Sequence, residues 1–138
     1  METIRTIRLR WLRGTLHEVT SELARSGYPH FAPPPWQPAI NAYRCETCIR
    51  ICVELAGVDK SDIELTVRDR HVSIRGVRAV PEPADSEPGP VRTIAMEIDY
   101  GVFQREIGLP ADVDVNKVHA DQQNGLLWIH LPLRSSES

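Results

Sequence analysis

The stretch Tyr100–Leu133, YGVFQREIGLPADVDVNKVHADQQNGLLWIHLPL, decides how this chain is read. It holds two strand-like runs, each closing on Leu-Pro, at Leu109-Pro110 and Leu131-Pro132. Between them lie Ala111-Asp-Val-Asp114 and then Asn124-Gly125 before an apolar run. In that last run Leu126, Trp128 and His130 share one strand face, and Leu127, Ile129 and Leu131 share the other. A half-buried strand has one polar face, yet here both faces carry large apolar groups. Trp128 is therefore expected to be covered by an N-terminal arm, a partner subunit or a bound protein, unless it belongs to a second buried face.

The same period of two recurs upstream. Ile49, Ile51, Val53 and Leu55 alternate with Arg50, Cys52 and Glu54; Ile63, Leu65 and Val67 alternate with Glu64, Thr66 and Arg68. Val72 and Ile74 alternate with His71, Ser73 and Arg75. One apolar and one polar face predict half-buried antiparallel strands over 43–77. Asp69-Arg70 is short enough for a hairpin turn, and Gly57 and Gly76 punctuate the strands. Residues 78–92, with Pro81, Pro83, Pro88 and Pro90 among acidic residues, cannot be a central strand and read as a mobile acidic loop. Strands are predicted again at Thr93–Ile98, at Phe103–Leu109, near Val118 and at Leu126–Leu131. Several short strands with turn signals between them predict an all-β sandwich.

The N-terminal part differs. Ile4, Ile7 and Trp11, then Leu12, Leu16, Val19 and Leu23, recur at steps of three and four, which builds one apolar helical stripe. Gly14 weakens that helix, and Gly27 ends it. A strand competes for the first part, because Ile7, Leu9 and Trp11 alternate with Arg8 and Arg10. Pro29, Pro33, Pro34, Pro35 and Pro38 make residues 28–42 an extended linker. The expected organisation is an arm and Pro-rich linker over 1–42, a β domain over 43–133 and a short tail over 134–138.

At 138 residues the chain suits one domain with an arm. Its composition, with 41% hydrophobic and 25% charged residues, is that of an ordinary globular chain, and a net charge of -3 gives no reason to expect a nucleic-acid partner. Fourteen of its sixteen basic residues are Arg. No apolar run exceeds Leu126–Ile129, so neither a membrane-spanning helix of about 20 residues nor a secretory signal is expected. A cytoplasmic location follows as the default.

Four groups of residues carry a family resemblance. Trp36-Gln-Pro-Ala with Tyr43 leads in; Val53-Glu-Leu-Ala-Gly-Val58 precedes Lys60-Ser-Asp-Ile63; Tyr100-Gly-Val-Phe-Gln-Arg105 precedes Leu109-Pro110; Ala120-Asp-Gln-Gln-Asn-Gly-Leu-Leu127 follows. In order and spacing they resemble the α-crystallin domain of the small heat-shock (Hsp20) proteins. The resemblance implies an immunoglobulin-like β-sandwich and an ATP-independent holdase chaperone whose building block is a dimer. In many bacterial and plant members a strand of the long loop swaps onto the partner. For such a chaperone the apolar stripe Trp11, Leu12, Leu16, Val19 and Leu23, with the groove beside Trp128, is expected to form the surface that binds unfolding client proteins. Tyr100, Phe103 and Arg105 would lie at the dimer or oligomer interface. The chain departs from the family pattern in four places. It shows no Ile-x-Ile/Val motif after Leu133, which points to dimers or small oligomers. The prolines between residues 80 and 90 oppose a swapped strand there. Ala56 and Gln122 stand where proline and a larger apolar residue are common.

Other functions find little support in the residues. There is no Gly-Lys dipeptide for a P-loop, and G-x-S-x-G is absent. His17-Glu18 begins H-E-x-x-H, but Ser21 replaces the second His. No enzyme, cofactor or metal is predicted. Cys45-x-x-Cys48 resembles half of a zinc site without its other half. A redox-sensitive thiol, with Arg44 and Arg50 lowering its pKa, competes with plain packing for the three cysteines. Arg5, Arg8, Arg10 and Arg13 fit a solvated arm face better than a membrane-surface helix. A co-chaperone-like adaptor for one folded partner and a membrane-surface stress protein remain the alternative functions.

Overall fold

A computed structural model describes residues 4–8, 34–83 and 89–135. Alternation builds two four-stranded antiparallel sheets. In the first, strands β1 (Ile4–Arg8), β4 (Ile63–Arg68), β5 (His71–Arg78) and β6 (Gly101–Gly108) lie in that order. In the second the order is β2 (Ile40–Arg44), β3 (Cys48–Glu54), β8 (Leu126–Pro132) and β7 (His119–Gln123). The inward residues of the two sheets meet in one core. Ile51, Val53, Leu127, Ile129 and Leu131 come from the second sheet and Leu65, Val67, Val72, Ile74 and Phe103 from the first. This is the all-β sandwich that the alternation predicted.

Tight turns fix the register. Asp69-Arg70 joins Arg68 to its partner His71. Asn124 (φ 53°) and Gly125 (φ 78°) both adopt left-handed backbone between β7 and β8, as a two-residue turn matched to strand twist requires. The Asp69-Arg70 turn is also tied down from outside. Leu109 and Val113 donate their amides to Arg70 and Asp69, at 2.9 and 2.8 Å, and Arg134 pairs with the Asp69 carboxylate.

The far end of the sandwich is closed by Trp36. Its amide donates to Val102, its carbonyl accepts from Gln104 and its indole nitrogen donates to Gly101, so it clamps the free edge of β6. Its ring packs on Phe103 at a centroid distance of 5.3 Å. Arg78 is 7% exposed and lies 4.3 Å from the Trp36 ring centre. Nε and one terminal nitrogen of Arg78 donate to the carbonyls of Asp99 and Ala56. A buried guanidinium thus finds carbonyl acceptors and an aromatic face.

Three expectations need correction. Ile4 and Ile7 do not begin a helix: Ile4–Arg8 is a strand paired with β4. That edge of β4 offers backbone partners that a helix would leave unused. Arg5 points inward at the rim and donates to the carbonyl of Val115 at 2.9 Å. The rest of the predicted partly helical arm, with Trp11, Leu12, Leu16, Val19 and Leu23, lies outside the described residues, among which there is no α-helix. Ile40–Arg44, read as part of the linker apart from Tyr43 and Arg44, is a strand. Thr93–Ile98, read as a strand, pairs with nothing in the sheets.

Gly76 faces Phe103 across the β5–β6 pair, and a Cβ there would lie 2.3 Å from the phenyl ring and 2.2 Å from the backbone oxygen of Asp62. Gly76→Ala should therefore cost about 1–3 kcal/mol by overpacking. Phe103→Ala should cost about 3–5 kcal/mol by leaving a cavity. Denaturant unfolding monitored by tryptophan fluorescence checks both.

Candidate functional site: the exposed aromatic face and the unpaired segment

Directly opposed residues of antiparallel strands share a face, so the pairings of the second sheet lay rows of side chains across its outer surface. One row is Tyr43, Arg50, His130 and His119; the next is Asn41, Cys52, Trp128 and Asp121. Tyr43 and Trp128 stack across the two rows at 6.4 Å and stay exposed, at 51% and 38%. Trp128 is thus not part of a second core face, and Tyr43 covers part of its ring.

The outer face of the first sheet is different. Glu106 accepts from Ser73 and Gln104 at 3.1 Å and meets His71 at 2.5 Å, and the shallow depression there is lined by polar and charged side chains. Burial pushes the Glu106 carboxyl up, but the hydrogen bonds from His71, Gln104 and Ser73 outweigh it and hold the group below its usual 4.5. This surface is polar, with Glu106 at the centre of its hydrogen bonds.

The second exposed feature is residues 89–100. Every one is exposed. Ile94, Met96, Ile98 and Tyr100 recur at every second position with exposures of 99%, 53%, 60% and 39%. The segment has the alternation of a strand, and no strand among the described residues pairs with it.

The residues assigned to an interface separate. Tyr100 closes the exposed segment. Phe103 is fully buried in its own core, so its side chain is not on any surface. Arg105 opposes Ile74 on the inner side of the sheet, half-buried, and donates to the carbonyl of Pro38 at 3.2 Å. Phe103 and Arg105 share a face, as their two-residue spacing requires, and it is the inner one: Phe103 lies in the core and Arg105 is half-buried beside it. Tyr43, Ile94, Met96 and Ile98 were not singled out. The alternation of the last three was visible, but alternation does not say whether a strand finds a partner.

The family departures have local reasons. Ala56 donates its amide to the Glu54 carboxylate at 2.9 Å, a bond proline cannot make. Gln122 reaches across to the carbonyl of Val58 at 2.7 Å, taking the place of apolar packing with a hydrogen bond.

Residues 42–138 match the Hsp20/alpha crystallin family. The chain belongs to that family. Spore protein SP21 of Stigmatella aurantiaca is 35% identical to it over 113 residues, spanning 79% of this chain and 64% of that protein. The crystal structure of hspA from Xanthomonas axonopodis superposes with a TM-score of 0.60 at 30% identity, covering 73% of this chain and 97% of that one. A small heat-shock protein from Xylella fastidiosa, described as having a distinct high-order structure, gives 0.62 at 26%, covering 76% and 93%. This Hsp20-family chain spans about half to two thirds of the length of several curated relatives that it matches. No described helix is long and apolar enough to cross a membrane.

The row from Tyr43 to His119 holds one guanidinium and two imidazoles. The rings of His119 and His130 stack at 4.7 Å, with Arg50 beside His130 and the Asp121 carboxylate lining the same shallow depression. Burial, then the charges of His119 and Arg50, push His130 below its usual 6.5. Above pH 6.5 the imidazole is neutral folded and unfolded, and it contributes nothing. As the pH falls below 6.5 the unfolded chain takes up the proton first, so stability is lost through that window. Thermal melts on either side of that pH should show the drop. His130→Gln should remove it and His119→Gln should reduce it.

Proposed function

We propose that this Hsp20-family chain is an ATP-independent holdase. It would bind unfolding proteins through apolar surface and keep them from aggregating. The observation that carries the reading is the exposed, stacked pair Tyr43 and Trp128 on the outer face of a rigid sandwich. Apolar attraction is non-directional, so it can hold many unrelated unfolding chains. At ~25 cal/mol per Å², covering a few hundred Å² supplies several kcal/mol before ordering costs are met. Family membership supports the chaperone role.

The surfaces divide the work. Residues 91–100 would pair with a strand edge of a second copy, forming the dimer. The prolines that oppose a swapped strand lie before this segment and leave it free. Trp128 with Tyr43, and the stripe of Trp11, Leu12, Leu16, Val19 and Leu23, would take the clients. The resting protein would be a dimer or small oligomer that uncovers these residues on heating.

Two experiments test the reading separately. Ile94→Asp with Ile98→Asp puts charges into the pairing segment and should yield monomers by light scattering; an unchanged mass removes residues 91–100 from the interface. For client binding, Trp11, Leu12, Leu16, Val19 and Leu23 are replaced together by Ser, which leaves Ile4–Arg8 in its sheet. A labile enzyme heated with this variant should aggregate as it does alone. Undiminished protection would remove the stripe from client binding.

A further inference from the structure

Among features the chaperone reading does not use, the β2–β3 hairpin holds two thiols that face each other. The β2–β3 register runs from Ile40 opposite Val53 to Arg44 opposite Ile49. One step further it places Cys45 opposite Cys48, closed by the two-residue turn Glu46-Thr47. The Cys45 amide donates to the Cys48 carbonyl at 2.8 Å. A hydrogen-bonded antiparallel pair sets its Cα atoms about 5.5 Å apart. A disulfide needs about 4.4–6.8 Å. Cys45 is exposed, while Cys48 is buried. Cys52 is also buried, but it lies opposite Asn41 and Trp128 in the sheet and has no thiol facing it.

We infer that Cys45 and Cys48 are a modification site: a dithiol that small-molecule disulfides oxidise to an intrachain disulfide, stapling the tip of the β2–β3 hairpin. The exposed Cys45 thiolate attacks one sulfur of the oxidant and expels the first thiol. The Cys48 thiolate then attacks the Cys45 sulfur of the mixed disulfide and expels the second. The two protein thiols lose two electrons and two protons, and the oxidant leaves as two thiols. Arg44 and Arg50 do not make Cys45 acidic, as the sequence suggested. The hydrogen bond with Cys48, then burial and the Cys48 charge, raise its pKa, and Arg50 only partly opposes them. Attack is therefore slow near neutrality and faster in alkali. The staple acts on β2, whose residues after Ile40 are all exposed and which is held chiefly by its ladder to β3. The inference does not depend on the holdase reading, because it needs only the folded hairpin.

The test is incubation of the full reduced chain with glutathione disulfide, followed by acid quench, alkylation and peptide mapping. The expected product has lost two hydrogens, carries a Cys45–Cys48 bridge and keeps Cys52 alkylatable. Amide exchange at Asn41–Arg44 should slow at least several-fold on oxidation. Cys52→Ser should oxidise like the parent, and Cys48→Ser should stop at a glutathione adduct on Cys45. A parent chain that stops at that adduct, stays reduced, or bridges through Cys52 or between chains overturns the assignment. Unchanged exchange in β2 overturns the staple.

Discussion

The phenyl ring of Phe103 lies against the bare Cα of Gly76, and this contact sets the geometry of one whole end of the sandwich. Because β5 has no Cβ there, β6 can place its largest side chain inward. Trp36 then packs on that ring and hydrogen-bonds along the edge of β6. Arg78 lies on Trp36 and reaches the carbonyls of Ala56 and Asp99. The order of dependence runs from the missing Cβ to the aromatic pair to the guanidinium. A charge buried at that depth persists only while all its partners stay in place. The loop after β3, the linker before β2 and the start of β6 are therefore locked to one another.

That lock explains why the exposed segment can stay exposed. Arg78 holds the carbonyl of Asp99, and Trp36 holds Gly101 and Val102, so the segment is anchored where it meets β6. Its apolar side chains do not fold back to join the core beside Phe103. The two outer faces then share out the remaining surface. One satisfies its polar groups around Glu106; the other shows Tyr43 and Trp128. A sandwich with one polar face and one aromatic face has a direction, and in the proposed function binding would follow it.

The strands with strict alternation were legible because each residue's face follows from period two: Ile51, Leu65, Ile74 and Ile129 all lie in the core as their spacing required. Asp69-Arg70 was legible for the same local reason. What failed was what depends on partners distant in sequence. Ile40–Arg44 has one partly buried residue followed by four exposed ones, so it carries no alternation to read. Ile4–Arg8 fits a helix as well as a strand until the open edge of β4 is known. Thr93–Ile98 has the pattern of a strand, yet a pattern states a preference and cannot supply the neighbour. That Phe103 and Arg105 share a face was legible from their spacing, but only the register with Gly76 and Ile74 shows that the face is the inner one.

The unpaired segment also carries an energetic consequence. A lone strand in water is not stable, so residues 91–100 gain order only by joining an edge. Such an edge-to-edge contact rests on backbone bonds and a few apolar side chains, whereas the core interlocks two sheets. Association between copies also weakens on dilution, and the core does not. On heating, the contact between copies should therefore open before the sandwich melts. The apolar residues would become available while the scaffold presenting them stays intact, which is the sequence of events a holdase needs.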